Sequence, residues 1–324
     1  MGDSTNIEWC DATVNFWEGC TKVGPGCDFC YAADRDRRFH KGEHWGPGAP
    51  RRWVKGGVPL MAKLQRSAHD FLRARGHRPR VFVNSLSDFF DNEVEETTRL
   101  TAATAIEAAP DCDVILVTKR IGNLIALAPA HWLAAWPRHV GILITVVNQE
   151  EADRDIPKLL NFKARYSIPW VGLSCEPLLG PIDLTAIERS GANGFLRPLD
   201  GRFTTLDWVI AGGESDDHEK KARPAHPDWF RGLRDQCAAA GVPFFFKQWG
   251  EYAPVYDRDH DDPDWRRCDV VKRETPNGRW INIAGGHGFH GDRVVRVNRA
   301  GKKHAGALLD GAEHREFPTF GRAA

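Results

Sequence analysis

Thr13-Val-Asn-Phe16, followed by Cys20-Thr-Lys-Val-Gly-Pro-Gly-Cys27-Asp-Phe-Cys30, is a strand-like run feeding into a loop that carries three cysteines. The spacing C-x6-C-x2-C brings three thiolates to one point, and Gly24-Pro25-Gly26 folds the longer gap back on itself. Three ligands rather than four is the informative number. A cubane iron–sulfur cluster held by three thiolates keeps one iron open to a substrate or cofactor, whereas an electron-transfer cluster takes four. The competing reading is zinc, which takes four ligands in a structural site, with Cys10 or His40 as the fourth. Cys112, Cys237 and Cys268 stand alone and read as packed thiols.

Outward from this loop, short apolar runs recur with helical stretches between them: 81–84, 114–117, 140–146, 170–173, 208–211 and 242–246. Runs of this length suit strands buried on both faces, as in parallel sheets covered by helices. Glu93 to Ala109 and Pro227 to Ala240 show helical spacing; the second opens with Pro in its first turn and has Gly241 just past its end. With Thr13–Phe16 the count is seven βα-type strands. The expected fold is α/β, a partial or complete (β/α) TIM-like barrel over residues 1–250. No G-x-G-x-x-G follows the first strand, which argues against a dinucleotide fold. Residues 251–324 change character: acidic Asp257–Asp264, Trp265, a Gly/His-rich stretch holding His287 and His290, then basic Arg293 to Lys303. They read as a small irregular or β-rich extension capping the barrel mouth, with Lys302 and Lys303 near the site and the two histidines as loop residues.

The 324 residues are 42% hydrophobic and 27% charged, which suits an ordinary globular protein with ample core. There is no run of about 18 apolar residues for a membrane span and no basic-then-apolar start of a secretion signal. Eight cysteines are too few for a disulfide scaffold, so a reducing, cytoplasmic location is expected. The zero net charge hides an asymmetry: residues 31–80 hold thirteen Lys/Arg against four Asp/Glu, with His40, Trp45 and Trp53 interleaved. Arg35, Arg37, Arg38, Arg51, Arg52 and Lys55 would grip a phosphate backbone while the aromatics stack on bases, making DNA or a nucleotide a candidate substrate. The plainer reading is a solvated surface.

In such barrels chemistry sits at the C-terminal ends of the strands, and here each end turns polar. Asn84, Ser85, Ser87 and Asp88 follow the second strand, where a carboxylate suits an ammonium ligand or where an Asx or Ser turn precedes the next helix. Thr118, Lys119 and Arg120 offer donors to a carboxylate or phosphate. Asn148 and Gln149 suit ribose hydroxyls or a base edge, or else a helix cap. Cys175 reads as a hydrogen-atom donor or a packed thiol. Glu176 and Glu214 are candidate acids, and Gly212 and Gly213 permit close approach of a ligand. Lys247, after three phenylalanines, is either paired with one of those glutamates or used on substrate.

The stretches around Trp17–Tyr31, Val83–Asp88, Leu116–Arg120, Cys175–Ile182, Val209–Ser215, Ala222-Arg-Pro and Phe245–Gly250 resemble the phage Gp37/Gp68 family, a domain of unknown function. That family in turn resembles radical S-adenosylmethionine enzymes of the spore photoproduct lyase kind. Their usual motif is C-x3-C-x-aromatic-C; Cys27-Asp-Phe-Cys30 keeps its second half, and the first gap is six residues instead of three. The resemblance implies a barrel of the radical S-adenosylmethionine type and a 4Fe–4S cluster on Cys20, Cys27 and Cys30. It also implies S-adenosylmethionine held at the Asn84–Asp88 strand end, and a flavodoxin- or ferredoxin-like electron donor. The implied activity is generation of a 5′-deoxyadenosyl radical that modifies or repairs a substrate such as a nucleic-acid base. The alternative from the residues alone is a zinc-binding, non-enzymatic module that recognises nucleic acid or protein.

Overall fold

The computed structural model describes residues 4–188, 195–201, 204–217, 221–258, 272–286 and 293–320. Trp265, Cys268, His287, His290 and most of the acidic run 257–264 lie outside the described residues.

Seven strands form one sheet: β1 (Ala12–Val14), β2 (Arg80–Val83), β3 (Asp113–Thr118), β4 (Val140–Thr145), β5 (Val171–Cys175), β6 (Trp208–Gly212) and β7 (Phe244–Gln248). Every neighbouring pair is parallel, and spatial order equals chain order, β1 to β7. Sequential order means no reversal of winding, so right-handed crossovers put every long helix on one face and the sheet curls the other way. The result is an open, curled half-barrel with β1 and β7 as its edges, the partial form of the two expected. The long helices are α1 (Tyr31–His40), α2 (Gly57–Arg75), α3 (Glu96–Glu107), α4 (Gln149–Tyr166) and α5 (Pro227–Ala240). Helix α5 begins at Pro227 and ends on left-handed Gly241, as its sequence signals require.

Alternation along each strand splits the core in two. The outward residues, among them Val83, Leu116, Ile144, Leu173, Ala211 and Phe246, pack with Met61 and Leu64 of α2, Ile106 of α3, Leu159 of α4 and Phe230 of α5. The inward residues Phe82, Ile115, Leu143, Trp208, Ile210 and Phe245 form a second cluster inside the curl, with Trp9, Cys10 and Trp170. Gly141 on β4 faces into this layer, where an added methyl would stand 1.9 Å from Trp170 Cε2. Gly141→Ala is therefore expected to destabilise the chain by about 1–3 kcal/mol through overpacking, read as a lower urea midpoint at unchanged slope.

The chain after β7 makes a three-stranded antiparallel sheet of β8 (Tyr252–Arg258), β9 (Gly278–Asn282) and β10 (Val294–Arg299), with β10 central. It then returns to the barrel. Phe246 N donates to His314 O at 2.8 Å and Trp208 Nε1 to Glu316 O at 2.9 Å, while Phe317 and Phe320 join the inner cluster. Residues 314–320 thus pack against and into the half-barrel. Among the described residues no helix is long and apolar enough to cross a membrane.

Candidate functional site

The inner face of the sheet is apolar below and polar above. Two residues on from the inner layer, the same alternation places Asn84 after Phe82, Lys119 after Val117, Thr145 after Leu143, and Lys247 after Phe245. These side chains, with Ser174, Glu176 and Glu214, line a cavity of about 360 Å³ at the C-terminal ends of the strands. Cys20, Cys27 and Cys30 line the same cavity.

The cysteine loop is pinned from several sides. Cys27 closes a 3₁₀ turn over Pro25–Cys27, and Cys30 immediately precedes α1. A methyl on Gly26 would lie 2.9 Å from Val147 Cγ1, so the loop seats against the end of β4 only without a side chain there. Arg120 reaches Cys20 Sγ with Nη2 at 3.6 Å and Thr21 O at 2.6 Å. Burial, reinforced by the Asp88 carboxylate, pushes the Cys20 thiol up to about 12, against the pull of Arg120. Burial raises Cys30 too; Lys119 and the N–H groups of Ala33 and Ala32 act against it. Among the described residues no three His, Cys, Asp or Glu side chains are gathered as closely as one metal ion requires. What the structure does provide is the donor set, three thiols of one loop lining one cavity, which is the number a cubane with one open iron takes. The zinc alternative finds no fourth ligand where it expected one. Cys10 belongs to the inner cluster with its thiol against Ile7 O, and His40 lies 3.6 Å from Glu18.

The second strand end is mostly occupied by its own neighbours. Asp88 is buried and accepts from Thr118 Oγ1 at 2.8 Å, Phe90 N at 2.9 Å and Lys119 N at 3.0 Å. Burial raises its pKa, with those donors opposing. It braces β2 to β3 rather than offering a free carboxylate. Ser87 donates to Trp17 O at 2.8 Å, and Ser85 accepts from Asn15 Nδ2 at 3.0 Å. Asn84 sits in the left-handed region (φ 60°) and accepts from Phe16 N with Oδ1 at 3.0 Å, leaving Nδ2 buried without a partner. Thr145 Oγ1 is likewise buried without a partner. A buried donor is costly when unsatisfied, so these two cavity-lining groups mark where a polar ligand fits.

On the opposite wall Glu176 pairs with Lys247 at 2.8 Å, and Ser174 Oγ donates to Glu176 Oε2 at 3.3 Å. Lys302 from the C-terminal region also lines the cavity. Its ammonium is held below the usual lysine range by burial and then by Lys247, although the residue as a whole is exposed.

Several expected site residues lie elsewhere, and two that line the cavity, Gly213 and Glu214, are engaged by the protein's own chain. Cys175 is fully buried on the outward face of β5, its thiol raised well above the ordinary range by burial, so it cannot face a substrate in the cavity. Asn148 caps α4, accepting from Glu151 N at 2.9 Å, and Gln149 binds Asp153 at 2.9 Å on that helix. Gly212 lies beneath the rim, where an added methyl would stand 3.0 Å from Glu176 Oε1. The closeness at Gly213 is to the protein's own chain, since a methyl there would meet Trp249 O at 1.9 Å. Glu214 is engaged by Arg223, whose N and Nε both donate to Oε2 at 2.8 Å. The basic region is largely spent internally. Arg51 is buried among Asp91, Glu93 and three carbonyls, while Arg35 and Arg52 share Glu18 and Arg37 pairs with Asp217. Exposed on α1 are Tyr31, at the cavity, and Phe39, with the Arg38 guanidinium 5.4 Å from its ring.

Residues that position the site but carry no local signal include Arg223, Thr145 and Ser174. Only tertiary contact or strand alternation reveals them. No curated protein matches the chain. Two solved structures are similar at 11% identity: a cysteine-to-serine mutant of spore photoproduct lyase (TM-score 0.37, covering 92% of this chain and 71% of that one) and a double mutant of that lyase with bound AdoMet and dinucleoside spore photoproduct (TM-score 0.36, covering 87% and 67%). The family described as "Protein of unknown function (DUF5131)" matches residues 4–318, and the chain belongs to it.

Proposed function

We propose that this chain is a radical S-adenosylmethionine enzyme whose cluster is held by Cys20, Cys27 and Cys30. One observation carries the reading: three cysteines of one loop face a single cavity at the C-terminal mouth of a parallel half-barrel. Held by Cys20, Cys27 and Cys30, the cluster together with S-adenosylmethionine would supply hydrogen-atom abstraction chemistry, driven by one electron from an external reductant. The chain's own residues bind and orient. Asn84 Nδ2 and Thr145 Oγ1 are donors awaiting acceptors, Lys119 and Lys302 supply positive charge at the wall and mouth, and the inner aromatic layer excludes water from below. The Glu176–Lys247 pair is the candidate for handling a proton at the substrate end. The substrate we assign is a nucleic-acid base or nucleotide, supported by exposed Tyr31 and Phe39 with Arg38 on the helix that starts at the cavity.

Anaerobic purification with iron, sulfide and zinc analysis tests the reading. About four irons and four sulfides per chain are expected, with cleavage of S-adenosylmethionine on reduction. One zinc per chain and no iron would overturn it. Affinity for an oligonucleotide is expected to fall steeply with salt if phosphates are contacted, and a salt-independent affinity would remove the nucleic-acid assignment.

A further inference from the structure

Arg223 follows Ala222, which packs on the C-terminal sheet, and its side chain grips the cysteine loop. Its guanidinium takes the Glu214 carboxylate with Nε at 2.8 Å and with Nη2, donates from Nη1 to Asp28 Oδ2 at 3.0 Å and from Nη2 to Pro25 O at 3.0 Å, and stands 4.8 Å from the centroid of the Phe29 ring. Pro25, Asp28 and Phe29 flank Cys27 on both sides. One planar fork thus grips the C-x2-C half of the loop at three points, a task that a point-charge ammonium cannot perform.

Beside the Glu214 carboxylate that holds it directly, Arg223 is tied to the tail through its neighbours. Ala222, beside it, is buried in a cluster with Tyr252, Ile281, Val295 and Val297 of the three-stranded sheet. Ala222 N donates to Asp216 Oδ1 at 2.8 Å, and Asp216 is paired with Arg299 of β10. A continuous run of contacts therefore leads from β10 through Asp216 and Ala222 to Arg223 and the loop. The other half of the loop has its own anchor, Arg120 on Cys20.

We infer that Arg223 is a positioning residue that presents Cys27 and Cys30 to the cavity, and that the C-terminal sheet sets this presentation. The functional meaning rests on the cluster reading above, but the positioning itself is measurable without iron. The experiment is maleimide labelling of the full-length, iron-free protein, with the rate at each cysteine mapped by mass spectrometry, followed by anaerobic loading with iron and sulfide. In Arg223→Ala, Cys27 is expected to label about tenfold faster, as loss of a charge-assisted contact worth roughly one decade implies. Cys20 is expected to keep its rate, and buried Cys112 and Cys175 to stay protected. Arg223→Lys should fall between, and Arg299→Ala should raise Cys27 in the same direction but less. Iron loading should fall in the same order. Unchanged labelling of Cys27 in Arg223→Ala would overturn the inference. So would equal acceleration at Cys112 and Cys175, because it reports general loosening rather than loop positioning. If Arg223→Ala does not fold, Asp28→Asn and Arg223→Lys decide by the same comparison. If the rates change as expected but no variant or parent binds iron, the positioning stands and the cluster reading fails.

Discussion

Cys27→Ala is expected to give a folded protein that has lost its cluster and, with it, all cleavage of S-adenosylmethionine. Cys27 ends a short 3₁₀ turn that buries none of its residues, so truncating its side chain removes little packing. The change in stability is expected to stay within about 0.5 kcal/mol, as for a surface substitution. The effect on metal is the opposite. Three thiols face the cavity, and the remaining described cysteines, Cys10, Cys112, Cys175 and Cys237, are buried in the cores and cannot replace one that is lost. Iron should drop from about four per chain to near zero, visible absorbance should vanish, and cofactor cleavage should reach background together with it. Cys112→Ala provides the contrast, with metal content unchanged at some cost in stability. Retained cleavage in Cys27→Ala would end the cluster assignment, since among the described residues no other thiol lines the cavity.

The sheet was legible because continuous apolar runs signal doubly covered strands, and all seven stand where those runs are. The polar turn at each strand end was legible for the same reason: Lys119 and Lys247 follow directly from alternation on an apolar strand. Helix α2 was not. Its buried positions Met61, Leu64 and Ala68 are sparse among Lys63, Arg66, Asp70, Arg73 and Arg75, so the basic residues dominate the pattern. The basic residues of 31–80, Arg51 among them, suggested a phosphate-binding surface, yet a guanidinium's partner is set by tertiary contact. Arg51 bonds Asp91, forty positions away, and Arg223 bonds Asp28 across 195 positions. Nothing local distinguishes such an arginine from a solvated one. At Asn148 the local signal was real but carried the capping function, because a side-chain acceptor at a helix start finds its N–H donor whether or not a ligand is near.

Removing residues 312–324 is expected to abolish cooperative folding, not merely turnover. Phe320 packs edge-on to Trp170 at 5.0 Å and to Trp208 at 5.8 Å, and Phe317 lies 5.4 Å from Phe245, so both plug the open side of the half-barrel. Arg80 lies over the Phe317 ring at 3.4 Å, and the edge strand β7 completes its hydrogen bonds with His314 and Glu316. A closed barrel would fill its own interior; an open one must borrow side chains, and this one borrows them from its C-terminus. Phe320→Ala alone should cost about 3–5 kcal/mol, a large share of the 5–15 kcal/mol that holds a typical domain together. Its urea midpoint should fall accordingly. Truncation adds the loss of Phe317, of the edge-strand bonds and of the carbonyl that satisfies buried Trp208 Nε1. The truncated chain should therefore be insoluble, or unfold without a sharp transition. A truncated protein that keeps the parent's midpoint and loads iron to the same level would show that residues 1–311 hold the half-barrel together without Phe317 and Phe320.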